Sequence, residues 1–278
     1  MREPSNQRWE VINRHKHGEP EFDFRLSRPS GPLADFVQGI WSVSVPDTQV
    51  VEKPLFSDAG SGIIFNLSGG VSIGHHRLPE GVIMLPVSKQ AETIVLSPGA
   101  RLAGIRFYPA IGFGVLGRHY DQPTPLLSPL LSQLQSAPDQ PVSLDGLHAR
   151  LNDQQSQDDH IQTLSLWAEQ SLDFSNVIPA SLKKALACMN EDQPLGQMNK
   201  QVALSQRQIE RLCKHRLGMT PKYYQRVLRI RNTIQFLRLH RTVSLAEVAS
   251  QFGFSDQAHM TREFQTIARM TPGQIQNI

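Results

Sequence analysis

The chain has 278 residues, 39% hydrophobic and 19% charged, a balance that suits a soluble globular protein with room for two domains. No apolar run reaches the length of a membrane span, and the opening MREPSNQRWEVINRHKHGEPEFDF has no signal-peptide core, so no membrane partner is expected and the cytoplasm is the expected location. The net charge of +3 conceals an asymmetry: residues 179–278 hold 15 Lys and Arg against 6 Asp and Glu, a net of +9, while the remainder carries −6. A basic hundred residues is the electrostatic footprint of a module that binds a polyanion.

In chain order, the front half reads as β. GIIFNL (62–67), GVIMLP (81–86), ETIVLS (92–97) and RLAGIRFYP (101–109) are short runs rich in β-branched residues, separated by Gly, Pro and Ser clusters. That cadence predicts a barrel-like or sandwich domain over residues 1–127. Asp58, Asn66 and Arg106 interrupt the apolar runs; they belong either to an effector pocket or to a buried polar network. His75-His76 and His15-x-His17 lack partners at ligand spacing, so turn histidines are favoured over a metal site. GFGVLG (112–117) satisfies G-x-G-x-x-G, but no βαβ alternation or acidic residue follows at the right distance. Close packing of a helix accounts for it better, and no cofactor is expected.

From 128 to 178 the texture turns helical and polar, a connector in which Ile161, Leu164, Ala168 and Leu172 recur at helical spacing. The stripe around Trp167 suits plain core, with an interdomain or dimer contact as the alternative. Beyond Pro179 everything reads as helix. Cys188 and Cys213 fall at apolar helical positions, which predicts buried thiols. In VSLAEVASQFGFS, Ser244 and Glu247 form an expected capping box, Leu245, Val248, Ala249 and Phe252 repeat at i, i+3, i+4, i+7, and Gly253 offers a left-handed exit before a cap at Ser255. This is the grammar of a helix-turn-helix.

The same grammar occurs twice. Leu195, Met198, Val202, Leu204 and Ser205 correspond to Leu245, Val248, Phe252, Phe254 and Ser255 at a separation of 50, and Ile209, Arg211, Cys213, Met219, Thr220 and Pro221 correspond to Met260, Arg262, Phe264, Met270, Thr271 and Pro272 at 51. Two units, about 195–217 and 244–268, are thus predicted, joined by one long helix that Thr220 caps and Pro221 starts. At the exit of the second unit Arg269 stands where the first has Gly218; a left-handed arginine costs about 1 kcal/mol. In the first unit the outward face carries Gln206, Arg207, Glu210 and Arg211, and in the second Gln257, His259 and Arg262. These side chains have the donor and acceptor sets that read base edges in a major groove. Lys200, Lys214, Lys222, Arg226, Gln265 and Arg269 are candidates for phosphate contact, with packing as the alternative for Lys200, Lys222 and Arg226.

The motifs LSQRQIERLCKHRLGMTPKYYQRVLRIR and VSLAEVASQFGFSDQAHMTREF…RMTP resemble the DNA-binding domain of AraC/XylS-type transcriptional regulators across the whole of 179–278. SDAGSGIIFNL and LAGIRFYPAIGFGVLG are similar, more weakly, to the β-barrel domain of one subgroup. Asn199, Cys213 and Arg269 depart from the family pattern. The resemblance implies an α+β protein: a sensor or dimerisation domain, a helical connector and an all-α double helix-turn-helix domain. It further implies promoter DNA as partner, a small-molecule effector, a homodimer and, for an activator, RNA polymerase. No nucleophile–base arrangement is found, so no enzyme is expected. A barrel enzyme fused to a DNA-binding module and a constitutive regulator without ligand stay open as alternatives.

Overall fold

The computed structural model describes residues 22–126, 143–172, 177–191 and 201–278, together with 174, 193, 194 and 198. The front half contains ten strands: β1 (Asp23–Ser27), β2 (Val37–Ser44), β3 (Val51–Leu55), β4 (Ser61–Ser68), β5 (Val71–Ile73), β6 (His76–Leu78), β7 (Gly81–Leu85), β8 (Glu92–Leu96), β9 (Arg101–Phe107) and β10 (Thr124–Pro125). They form a six-stranded sheet in the order β1-β2-β9-β4-β7-β10 and a four-stranded sheet in the order β3-β8-β5-β6. The two sheets do not close into a barrel, which corrects the barrel-like expectation while keeping the α+β class.

Alternation along β4 shows why the large sheet holds its place. Ile63 and Phe65 join the core under helices α2 (Leu144–Asp153) and α3 (Gln157–Ser171), while Ile64 faces the core shared with the second sheet. Successive side chains point to opposite faces, and here both faces are covered, so the strand reads as a continuous apolar run. Trp167 of α3 sits edge-on to Phe65 at 6.5 Å and is buried. The helices predicted as a connector therefore pack on the sheet, and Trp167 is core. His160 of α3 reaches Ser42 on β2 through Nδ1 at 2.8 Å, and burial lowers its pKa.

Helix α1 (Ile111–Leu116) explains the glycine run. A Cβ on Gly112 would stand 1.9 Å from the Ser61 hydroxyl, and one on Gly114 would stand 2.0 Å from the Val177 carbonyl. Gly117 closes the helix at φ 72°, where glycine has no steric cost. Among the described residues no group of three His, Cys, Asp or Glu could hold a metal; His75 lies in the turn before β6, and His15 and His17 lie outside the described residues.

The second half contains α4 (Ala180–Asn190), α5 (Gln206–Leu217), α6 (Pro221–Leu239), α7 (Leu245–Gln251), α8 (Gln257–Ile267) and α9 (Pro272–Gln276). Ile209, Cys213, Val227, Leu228, Val248, Met260 and Phe264 share its core. Both cysteines are free and buried, and burial pushes the Cys213 thiol up to about 12. The same cluster takes in Ala59 and Ala110 from the β-rich half, so the two halves meet across an apolar seam.

Candidate nucleic-acid interface and adjoining cavity

Local chemistry sets the start of each recognition helix. Ser205 caps α5 in a capping box with Gln208, and Asp256 caps α8 by accepting from the His259 N–H at 2.6 Å. The second cap thus lies one residue beyond the expected Ser255. That bond holds the Asp256 carboxyl below its usual pKa. Ser244 begins α7 without a side-chain capping bond, so the expected box with Glu247 does not form. Thr220 caps α6 as expected, with Pro221 at its first position. Asn199, Lys200 and Leu195 lie outside the described residues.

On α5 the residues Ile209, Cys213 and Leu217 are buried, whereas Gln206, Arg207, Arg211 and Lys214 are exposed. Glu210 is half-buried and accepts from Gln206 Nε2 at 3.0 Å. On α8 Met260, Phe264 and Ile267 are buried, while Gln257, Arg262 and Gln265 are exposed. His259 is half-buried beside Phe254, and its Nδ1 accepts from the Ser255 N–H at 3.2 Å, which ties it to the cap. Lys222 is exposed at the start of α6. Each helix therefore turns an apolar stripe inward and a polar stripe to solvent, mostly basic on α5 and carrying Arg262 on α8, the arrangement by which a helix enters a major groove.

Two of the phosphate candidates are otherwise engaged. Arg226 of α6 forms a bidentate pair with Glu263 of α8, through Nε at 2.7 Å and Nη2 at 2.8 Å. The pair locks the second recognition helix onto the linker helix, and it raises the Arg226 pKa. Arg269 adopts φ 57° and donates from Nη2 to Gln90 Oε1 in the β-rich half. Sequence reasoning assigned both to phosphate because a basic residue on a basic domain shows nothing of a carboxylate or amide brought up by folding.

A cavity of about 830 Å³ opens between the two sheets and extends to the helical half. Its walls include Phe24, Trp41, Ile64 and Ile94 from the sheets and Leu217, Tyr223 and Arg238 from the helices. Asp58 and Arg106 both line it. Burial opposes ionisation of Asp58, but Arg106 donates from Nε at 3.0 Å and from Nη2 to the second oxygen, and the carboxyl stays below its usual pKa. Asn66 lies elsewhere: its side-chain amide donates to the carbonyl of Pro79 at 3.1 Å, and its backbone carbonyl accepts from His148 Nε2 at 2.8 Å. Arg238 was not singled out from sequence. It stands 5.3 Å over the Phe56 ring, half-buried, with a pKa lowered by burial and no carboxylate partner among the described residues.

Residues 198–278 match the family model of a helix-turn-helix domain, and residues 26–125 match that of a domain of unknown function. No curated protein matches the chain. Among solved structures it is similar to a transcriptional regulator with an AraC-type DNA-binding domain from Chromobacterium violaceum, with 25% identity over 35% of this chain and 89% of that one and a TM-score of 0.33. ToxT from Vibrio cholerae gives 10% identity over 82% and 97%, with a TM-score of 0.44. The C-terminal domain of AraT, a response regulator from Geobacillus stearothermophilus, gives 17% over 36% and 85%, with a TM-score of 0.33. The matched helix-turn-helix model and the duplicated units, each with a solvent-facing polar stripe, together make the chain a DNA-binding regulator whose helix-turn-helix domain spans residues 198–278.

Proposed function

We propose that the protein reads a bipartite promoter site through α5 and α8 and adjusts that reading to an amphipathic acid held in the cavity. The observation that carries the DNA part is the pair of exposed polar helix faces mounted on one linker helix. Arg207, Arg211 and Arg262 take the base-reading roles, and Lys214, Lys222 and Gln265 the phosphate roles. Selection of duplex DNA by the full chain tests it. A site in two parts about one helical turn apart supports the reading, and binding that is only salt-sensitive and indifferent to sequence overturns it.

For the ligand, the cavity walls supply apolar surface, and Arg238 supplies a half-buried cation with no carboxylate partner among the described residues. An apolar body with one acid group complements both, since a buried charge is stable only when paired. A panel of medium-chain carboxylic acids should raise the melting temperature of the full chain, and the matching alcohols should not. Arg238→Gln should abolish the shift. Equal shifts from acids and alcohols would remove Arg238 from the reading, and turnover of a bound compound would replace the sensor with an enzyme. Cytoplasmic location, a homodimer and contact with RNA polymerase belong to the same reading; among the described residues no helix is long and apolar enough to cross a membrane.

A further inference from the structure

The β-rich half touches both helix-turn-helix units, and it does so from one corner. β7 and β10 are antiparallel neighbours at the edge of the large sheet, with Thr124 opposite Met84. The loop that leaves β7 (86–91) and the loop that enters β10 (117–123) therefore emerge side by side. The first loop grips the exit of the second unit. The Ala91 N–H donates to the Ile267 carbonyl at 2.7 Å, Gln90 accepts from Arg269, and the Lys89 carbonyl accepts from the Tyr223 hydroxyl at 3.2 Å. The second loop grips the end of the first recognition helix. His119 Nε2 donates to the His215 carbonyl, and Phe113, on the helix just before that loop, lies 4.9 Å from the His215 ring and 4.7 Å beneath the Arg216 guanidinium.

The linker helix that separates the units has 19 residues, hence a length of about 28 Å. A bipartite site demands that the two recognition helices keep a fixed distance and rotation along the duplex. One helix fixes distance better than rotation, because each unit is joined to it covalently at only one end and otherwise by side-chain packing and, in the second unit, the Arg226–Glu263 pair. A corner that holds the first unit beside its junction with the linker helix and the second unit at its far end restrains that rotation. The seam also carries backbone strain: Ala59, Ala110 and Arg269 all sit in the left-handed region, at φ 57°, 71° and 57°. Such conformations persist where the surrounding structure holds them.

We propose that this corner is part of the specificity apparatus: by holding both recognition-helix ends, residues 86–91 and 117–121 set the half-site spacing that the protein accepts. Gln90 and Arg269 are its positioning residues, since they meet each other and belong to different halves. Both loops line the cavity, so its occupant acts on spacing rather than on the base-reading side chains. This inference rests on the bipartite reading above.

The test uses the full chain and the selected duplex, with spacers from two base pairs shorter to two longer. For the wild type, a two-base-pair change should weaken binding at least tenfold. In Gln90→Ala and in Arg269→Gly that penalty should shrink to about threefold or less, while affinity for the best spacing moves by less than threefold. The double variant should match either single one, because both remove the same contact. Gln90→Ala lies outside the helical domain, and glycine suits the conformation at 269, so neither variant endangers folding. Unchanged spacing penalties in both variants overturn the proposal. So does uniform weakening at every spacing in Arg269→Gly alone with a shallower salt slope, which would place Arg269 on a phosphate. If the wild type selects no bipartite duplex, the bipartite reading itself fails and this inference falls with it, an outcome distinct from unchanged spacing penalties on a selected bipartite site.

Discussion

At the turn between its helices the first unit places Ala203 at φ 55°, and the second places Gly253 at φ 71°; at the exit the first places Gly218 at φ 70°, and the second Arg269 at φ 57°. Both units thus use a left-handed residue at the same two points, and each has glycine at only one of them. Their cores differ in the same manner: Cys213 answers Phe264, and the apolar Leu212 answers Glu263, which is tied to Arg226. The backbone path and the inward stripe are common to the units, while the chemistry that holds each path is local. Left-handed strain of about 1 kcal/mol is small beside the packing of a buried side chain, so either residue serves once the helices are pinned.

The largest test of that difference lies in the core. Phe264→Ala should destabilise by about 3–5 kcal/mol, and Cys213→Ala, losing about one small group, by about 1 kcal/mol. Urea unfolding followed by far-UV circular dichroism measures both. Equal losses would show that the units are packed alike after all. Next is the ion pair that ties the second unit to the linker helix: Glu263→Gln should cost about 1–2 kcal/mol, because it leaves the half-buried Arg226 without its charged acceptor. A loss near zero would mean that the apolar contacts of α8 suffice.

Smaller effects belong to the left-handed positions. Ala203→Gly should stabilise by about 0.5–1 kcal/mol, whereas Gly253→Ala should destabilise by about 1 kcal/mol. Arg269→Gly in the full chain should lie near zero in thermal melts, since relief of strain is offset by loss of the Gln90 contact. A gain as large as that of Ala203→Gly would show that the contact contributes nothing.

The smallest effect separates the two caps. Asp256 has a lowered native pKa and Ser205 does not titrate. The Asp256 cap is complete above the unfolded carboxyl value of about 4 and is lost as pH falls through the lower native value. Asp256→Ser should therefore flatten the acid limb of helical signal below about pH 4, and Ser205→Asp should steepen it. No change in either slope would mean that other carboxylates govern acid unfolding.

The inward stripe and the turn of the second unit were legible, because their signals are local: glycine at the turn and apolar residues at helical spacing. Four strands were also visible as β-branched runs. The other six described strands were missed: among them β2 carries Gly39 and Ser42 among its apolar residues, β3 carries Pro54, and β5, β6 and β10 are only two or three residues long. The cap at Asp256 was displaced by one residue because two adjacent side chains can serve and the backbone chooses between them. The tertiary partners of Arg226 and Arg269, and the placement of Arg238, were not legible for a different reason. A basic residue on a basic helix looks like a solvated face, and what distinguishes these three is a partner 37 or 179 residues away, or the lack of one.

By itself the amino-acid sequence determined the α+β class, the duplication, the inward stripes and the polar faces available to DNA, because periodicity, capping and charge act within a few residues of one another. Only the tertiary structure decided that the sheets stay open, that the supposed connector covers one of them, that Asp58 and Arg106 line a cavity while Asn66 does not, and that one corner of the sheet holds both recognition helices. Those outcomes depend on which surfaces meet across long loops, and that is settled by burial and by pairing of polar groups over the whole molecule.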